Sequence, residues 1–130
     1  MKCPAWVPKV DADGNDIAGI RLPEVVVPTA TYTGWALRAD LTLPGGASAD
    51  DGCDASGQKI PFRKTVGGRM AIGDPRPALD ERYSSRDDYI GKVTAAALAL
   101  RDTHLMLQED VDAYIAGAGA AYDTAILATP

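Results

Sequence analysis

The sequence has few of the residues that enzymes most often use as nucleophile or base. Its 130 residues include one histidine, His104, and two cysteines, Cys3 and Cys53. A hydrolytic triad needs a histidine to accept the proton of the nucleophile, and His104 lies late in a predicted helix. We therefore expect His104 to cap that helix or to pack at its corner. This scarcity argues against a self-sufficient catalytic site.

The two cysteines are too far apart in sequence to form a CxxC pair. Free thiols in a reducing compartment are the expected state, and one long-range disulfide is the alternative. Cys53 lies between Asp51 and Asp54, and acidic neighbours disfavour a reactive thiolate. The cysteines therefore predict neither a metal site nor a redox site.

Long apolar runs and basic clusters are missing as well. No run approaches the roughly 18 apolar residues of a membrane span, and no apolar segment typical of a secretory signal follows the N-terminus. Acidic residues outnumber basic ones by 18 to 13, and the nearest basic cluster holds only Arg63, Lys64 and Arg69. An acidic surface repels phosphate backbones. These absences predict a soluble protein without membrane or nucleic-acid partners, cytoplasmic by default.

Proline is frequent in one part of the chain and missing from another. Eight of the nine prolines precede residue 80, and none occurs in residues 84–128. Proline favours turns, extended segments and short strands, whereas its absence permits long helices. The sequence therefore predicts one α+β domain over residues 1–130. We expect short strands, including a β-hairpin, and loops in residues 1–83, packed with a C-terminal helical hairpin in residues 84–128.

An aspartate-rich turn, residues 11–16, lies between two short apolar stretches. Asp-Gly at this position predicts a β-hairpin in which Gly14 adopts a positive φ. Oxygen side chains at alternate positions also resemble the start of a calcium loop, but the sixth position is Asp16 and the twelfth is Leu22. The turn is favoured over the calcium site. Further on, residues 23–28 are strand-like, and the prolines at both ends predict an edge strand or an extended segment.

The C-terminal part carries the clearest helical signals. Ser85 and Asp88 have the spacing of a capping box, in which Ser85 accepts the amide hydrogen of Asp88 and Asp88 reaches back. The apolar face of the first helix is predicted to comprise Tyr89, Val93, Ala96, Ala97, Leu100 and His104. A second helix begins near residue 108, and its apolar face is predicted to comprise Val111, Tyr114, Ile115, Ala118, Tyr122, Ala125 and Ile126.

Small residues form a separate ridge on the second helix. Ala113, Gly117 and Ala121 repeat every four residues, on another side from the main apolar face. Gly117 and Gly119 each cost about 1 kcal/mol of helix propensity relative to alanine, which close packing has to offset. An exposed apolar face of this kind marks an interface. We therefore expect a homodimer, two-fold symmetric, with the ridge close to the axis.

Four aromatic residues suggest a small-molecule pocket. Tyr32, Trp35, Phe62 and Tyr83 could line it, although the same residues serve well as core anchors, and the core interpretation is favoured. Ser56 lies in a DASGQ segment that lacks the first glycine of the G-x-S-x-G nucleophile motif. No catalytic residue, cofactor or metal is predicted from these motifs.

Several short blocks follow one another in order along residues 7–115. The first is VDADGNDIAGIRLP at residues 10–23, and the second combines a Val-Pro pair with ATYTGW at residues 30–35. The later blocks are Ser56-Gly57, Ile60-Pro61-Phe62, Gly73-Asp74-Pro75-Arg76-Pro77, Glu81-Arg82-Tyr83 and the helical hairpin from Tyr89 to Glu109-Asp110. Together they resemble the C-terminal region of a family of large bacterial α/β-hydrolase-domain proteins.

The resemblance implies a function for the chain without implying an active site. Members of that family are several times longer, and their serine nucleophile is expected upstream of this region, so no catalytic residue is carried over. Ala36 departs from the asparagine usual in the family. The resemblance implies a non-catalytic binding or assembly module, which is either a freestanding gene product, of a truncated or mobile kind, or an excised domain. Its partner would be a second copy or a complementary hydrolase-like chain. The alternative is a small-molecule-binding protein or weak hydrolase that uses the aromatic pocket.

Overall fold

The computed structural model describes residues 8–34 and 57–129, together with the backbone of two short strands between these ranges. Short elements occupy the first part of the chain and two long helices the second, which confirms the predicted α+β class. In chain order the elements are α1 (Pro23–Val26), β1 (Ala30–Thr33), β2 (Leu41–Thr42), β3 (Ser48–Ala49), β4 (Gln58–Pro61), α2 (Val66–Ala71), α3 (Leu79–Arg82), α4 (Arg86–Asp102) and α5 (Gln108–Ala128).

The strands pair in twos. β1 runs antiparallel to β4, with Ala30 opposite Pro61 and Thr33 opposite Gln58. β2 and β3 form a separate antiparallel pair. Just after β4, the amide of Phe62 donates to the carbonyl of Thr29 at 3.1 Å, which continues the pairing by one bond. This pairing carries Phe62 into the core, where it is fully buried.

The edge strand or extended segment predicted for residues 23–28 is wrong, because this segment begins with a helical turn, α1. Pro23 occupies the first helical position, where its missing N–H has no helical partner to lose and its fixed φ suits the helix. The amide of Val27 then donates to the carbonyl of Pro23 at 2.8 Å. The local helical bonds therefore outweigh the strand propensity of the three valines.

The aspartate-rich turn forms with the predicted backbone at its glycine, since Gly14 has a φ of 81°. Its flanking stretches pair less than a full hairpin would, with one antiparallel bridge between Val10 and Asp16. The turn is closed by its own first residue, because Asp11 Oδ1 accepts the amide hydrogen of Asp13 at 2.9 Å. Self-capping of this kind is typical of aspartate in turns.

Helix α4 begins as predicted at Ser85, whose Oγ accepts the amide hydrogen of Asp88 at 3.1 Å. Asp88 reaches back one residue further than a capping box requires, and its Oδ2 accepts from the amide of Ser84 at 3.0 Å. The same carboxylate oxygen accepts from Lys92 Nζ at 2.7 Å, one turn into the helix. The start of α4 is therefore held by three bonds to two side chains.

The end of α4 corrects the prediction for His104, whose side chain is exposed and does not continue the apolar face. His104 has a φ of 60°, in the left-handed region. Its amide donates to the carbonyl of Arg101, and the amide of Leu105 donates to that of Leu100, each at 2.8 Å. This is the Schellman arrangement, with histidine where glycine is usual. His104 thus caps the helix through its backbone.

Helices α4 and α5 pack against each other as the predicted helical hairpin. The core lies between this hairpin and the elements before it. Its buried members on the hairpin are Tyr89, Val93, Ala97, Val111, Ala118 and Ala125, and those before it include Val27, Phe62, Leu79 and Tyr83. Of the predicted second face, Ile115 stays 36% exposed. None of the helices in the described residues has both the length and the apolar character that crossing a membrane requires.

Candidate functional site

A groove of about 730 Å³ opens between α1, β1, α4, the α4–α5 corner and α5. Its described lining contains no Ser, Cys, His, Lys or Arg, so these residues offer no nucleophile–base pair of the usual kind. Two carboxylates are the charged groups among them. The lining residues are Leu22, Pro23, Glu24, Tyr32, Tyr89, Val93, Leu105, Met106, Asp110, Ala113, Tyr114, Gly117, Ala118 and Ala121.

The α5 wall of the groove is formed by the predicted ridge of Ala113, Gly117 and Ala121, which is exposed to solvent. A Cβ atom placed on Gly117 would meet no atom within 4 Å, so the space above the glycine is open. At 1.5 Å per residue the ridge runs about 12 Å along the helix. Leu105 and Leu22, which are 51% and 39% exposed, add further apolar surface to the groove. The wall is therefore low, smooth and apolar.

Two tyrosines form another wall. Tyr32 projects from β1 and is half-buried, and Tyr89 projects from α4 and is 5% exposed. The Tyr89 ring packs on two further rings, with centroids 4.9 Å from Tyr83 and 5.4 Å from Tyr122. Burial raises the pKa of Tyr89 to about 12, so its hydroxyl is neutral at physiological pH. This wall is therefore aromatic, with the Tyr89 ring fixed by its packing on two neighbouring rings.

A polar pair joins α1 to α5 in the groove. The hydroxyl of Tyr114 donates to Glu24 Oε2 at 2.6 Å. Burial, followed by the bond and charge of Glu24 and the charge of Asp110, raises the pKa of Tyr114. Tyr114 therefore stays a neutral donor. No described cation makes an ion pair or hydrogen bond with Glu24 or Asp110, which leaves the groove with two acidic groups.

The four aromatic residues, favoured as core anchors and considered as the lining of a pocket, do not share one site in the described residues. Tyr32 lines the groove, whereas Phe62 and Tyr83 are buried in the core at 0% and 5% exposure. The hydroxyl of Tyr83 donates to the carbonyl of Pro28 at 2.8 Å, which ties α3 to the segment before β1. Trp35 lies outside the described residues.

Sequence blocks that carry the family resemblance meet in one place, which we call the motif cluster (Asp13, Asn15, Thr31, Phe62, Asp74, Arg76 and Arg82). Phe62 lies at its centre, with the guanidinium carbons of Arg82 and Arg76 4.1 and 5.1 Å from its ring centroid. Arg82 binds the Asp13 carboxylate with two nitrogens and donates through Nε to the carbonyl of Pro77 at 2.9 Å. The blocks therefore contact one another although they are far apart in sequence.

The remaining bonds of the motif cluster hold β1. Asn15 is fully buried, and its side chain donates to the carbonyl of Ala30 at 3.2 Å and accepts from the amide of Tyr32 at 2.7 Å. Arg76 bonds Thr31 Oγ1 at 2.8 Å and Asp74 Oδ2 at 2.6 Å. Hydrogen bonds from Arg76 lower the pKa of Asp74 to about 2. Each polar side chain of the cluster has a protein partner, so these residues hold the fold together.

The other candidates from the sequence take structural places or fall outside the described ranges. In the aspartate-rich turn, Asp11 pairs with Arg21 at 2.5 Å and Asp13 pairs with Arg82. No group of three or more His, Cys, Asp or Glu side chains suited to a metal was found within residues 8–34 and 57–129. Ser56, Cys3 and Cys53 lie outside these ranges.

Sequence reasoning missed two tertiary contacts, one that holds the fold and one in the groove. Asn15 was assigned to the aspartate-rich turn, and its buried bonds to β1 have no local signal, because its partners lie 15 and 17 residues away. The bond between Glu24 and Tyr114 was missed for the same reason, with 90 residues between its partners. The sequence offers one local signal for Glu24. If residues 23–28 had been predicted to begin with a helical turn, Glu24 would have been recognised as the acidic residue of its first turn.

Comparison with known proteins gives one match. A family model described as an alpha/beta hydrolase domain matches residues 4–116 of the 130. Neither the curated proteins nor the solved structures gave a match. Since the matched residues span most of the chain and include the motif cluster, this protein belongs to the α/β-hydrolase domain family.

Proposed function

We propose that this chain is a non-catalytic assembly module of the α/β-hydrolase domain family, and that its groove holds a helix of a partner polypeptide. The observation that carries the proposal is the exposed ridge of Ala113, Gly117 and Ala121 inside an apolar groove. Small side chains let two helices approach to about 8 Å, so that their ridges and grooves interlock. Helix-in-groove docking is a common mode of peptide recognition.

The proposal treats residues 1–130 as one domain. Support comes from a contact that ties the end of α5 to the strand-containing part of the chain: Thr129 Oγ1, after α5, donates to the carbonyl of Phe62, just after β4, at 2.9 Å. The family blocks support the non-catalytic part, because their side chains in the motif cluster bind each other and leave no group directed at a substrate. The same blocks therefore supply a rigid body on which α1 and α5 present the groove.

Titration with a designed helical peptide tests the proposal. A fluorescent peptide of roughly three turns, with an apolar stripe at i and i+4, should bind the wild-type protein and raise its melting temperature. Gly117→Leu fills the open space above the ridge and should abolish binding. Gly91→Leu is the matched control, since Gly91 is an exposed glycine of α4 with nothing within 4 Å of its Cβ position. Equal loss in both variants, or no binding to the wild type, would contradict the proposal.

Hydrolytic activity is the second measurement. A non-catalytic module should hydrolyse activated esters no faster than an unrelated acidic protein of the same concentration. A rate that disappears in His104→Ala would show that the module is an enzyme.

A second candidate function is small-molecule binding, and the wall of Tyr32 and Tyr89 favours it. The groove volume falls within the roughly 300–1,000 Å³ typical of ligand pockets. Under this alternative, a small aromatic compound should raise the melting temperature of the protein while the helical peptide does not. The homodimer expected from the sequence would use the ridge, and sedimentation at micromolar concentration tests it.

A further inference from the structure

The groove carries a charge pattern that specifies the chemistry of its occupant. Resting on the proposed function, we infer that the groove binds an amphipathic helix whose apolar stripe ends in a lysine or arginine, which pairs with Glu24 and Asp110.

Glu24 has unused capacity to accept hydrogen bonds. A carboxylate offers about four acceptor positions, and Glu24 receives one hydrogen bond among the described residues, from Tyr114. Tyr114 is a neutral donor and leaves the negative charge uncompensated. Asp110, one helical turn before Tyr114 on α5, adds a second carboxylate to the same region of the groove. A cation placed between them would make charge-assisted bonds, which are about twice as strong as neutral ones.

The apolar surroundings increase the value of such a cation. Leu22, Pro23 and Met106 line the groove beside the acidic pair, and burial raises the pKa of Tyr114. A surface of low polarity screens charge less than open solvent does, so an ion pair formed there contributes more. The one described cation with a contact to a lining side chain is Lys59, whose Nζ lies 5.8 Å from the centroid of the Tyr32 ring. Among the described residues no cation pairs with Glu24 or Asp110, so a partner can supply one.

A second copy of the chain fits this pattern less well. The α5 sequence, residues 108–128, contains no lysine or arginine. Two copies joined through their ridges would bring two sets of carboxylates together without a cation from α5 to separate them. Like charges across an interface disfavour association. The charge pattern thus selects a different polypeptide, and a basic residue on it supplies the specificity.

Three labelled peptides test this inference. They share the apolar stripe and differ at one terminal position, which is Lys, Gln or Glu. The Lys peptide should bind the wild-type protein about tenfold more tightly than the Gln peptide, and the Glu peptide more weakly still. The advantage of Lys should shrink as salt is raised to about 0.5 M. Equal affinities for the Lys and Gln peptides would overturn the inference and leave the proposed function standing, whereas no binding by any peptide would refute the proposed function.

Glu24→Gln tests whether the Glu24 carboxylate causes the preference for the Lys peptide. This change keeps an acceptor for Tyr114 and removes the charge, so the preference for Lys over Gln should fall to within about twofold. Glu109→Gln removes the same charge from an exposed residue outside the groove lining and should keep the tenfold preference. If Glu24→Gln lowers the melting temperature, Asp110→Asn, on the surface of α5, replaces it. An unchanged preference in the folded Glu24 or Asp110 variant, or a homodimer that Gly117→Leu abolishes and Gly91→Leu retains, would overturn the inference.

Discussion

The motif cluster and the helical hairpin are stabilised in different ways. The cluster depends on side chains that bind partners far away in sequence, such as Asp13 with Arg82, 69 residues apart. The hairpin depends on local caps and on the packing of tyrosine, valine and alanine between two neighbouring helices. Removing one partner of a buried polar contact leaves the other without a hydrogen bond, which costs the most stability. Shortening a small apolar side chain costs stability in proportion to the apolar area that is lost. The comparison predicts that single changes in the cluster destabilise the protein more than changes at the hairpin corner.

The largest effect is expected for Asn15→Ala. This change leaves the buried carbonyl of Ala30 and the part-buried amide of Tyr32 in β1 without their partner. Each unpaired buried group costs about 1–3 kcal/mol, so the free energy of unfolding should fall by about 2–4 kcal/mol. Urea denaturation measures it, and Asp16→Ala, at the neighbouring turn position, serves as control. A loss below about 1 kcal/mol would show that solvent replaces these bonds.

The next effect separates backbone strain from crowding at two glycines. Gly14 and Gly19 both have a φ of 81°, but a Cβ on Gly14 would lie 2.9 Å from Thr31 Cγ2, and one on Gly19 would meet nothing. Gly19→Val should cost about 1–2 kcal/mol from conformation alone. Gly14→Val should cost about 1 kcal/mol more, because it also displaces Thr31. Equal losses of unfolding free energy in the two variants, measured by urea denaturation, would mean that Thr31 moves aside for the added methyl groups without further cost.

The third test uses acid. Arg76 lowers the pKa of Asp74 to about 2, and Arg69 lowers that of Glu81 to about 2. A carboxyl group with a lowered folded pKa stabilises the protein above its ordinary pKa and loses that contribution as pH falls toward the folded value. The urea midpoint should therefore decline between about pH 4 and pH 2. Asp74→Asn should reduce this decline, and the contribution of Glu81 should remain. A decline identical to that of the wild type would mean that groups other than Asp74 cause the acid sensitivity.

The smallest effect is a gain at the hairpin corner. His104 has a φ of 60°, which costs an L-residue about 1–2 kcal/mol, while glycine loses more entropy on folding. His104→Gly should thus stabilise the protein by about 0.5–1 kcal/mol in thermal unfolding. Thr103→Gly, at an ordinary helical end with a φ of −91°, should destabilise it. A destabilised His104→Gly would reveal a contact made by the imidazole.

Local patterns were enough to predict the hairpin. Ser85 caps α4, the absence of proline permits two long helices, and the positive φ of Gly14 follows from the Asp-Gly pair. These features depend on residues within about four positions of one another, so the chain encodes them directly. The same approach failed at residues 23–28, because strand propensity of valine and a helix start at proline compete over only four residues. For Phe62 and Tyr83 the favoured interpretation as core residues agrees with their burial, whereas Tyr32 lines the groove. Sequence shows that a residue is aromatic but not which cavity it lines.

The amino-acid order alone was therefore sufficient for the α+β class, the two long helices, the small-residue ridge and the family of the chain. The groove, the acidic pair inside it and the motif cluster depend on folding, because each needs contacts between residues far apart in sequence, such as the 15 positions between Asn15 and Ala30 and the 90 between Glu24 and Tyr114. Glu24 and Tyr114 illustrate the reason: nothing near either residue predicts the other, and their 2.6 Å bond exists only because α1 packs beside the hairpin. Periodicity records which face of an element is apolar, and only tertiary packing decides which faces meet and which stay open for a partner.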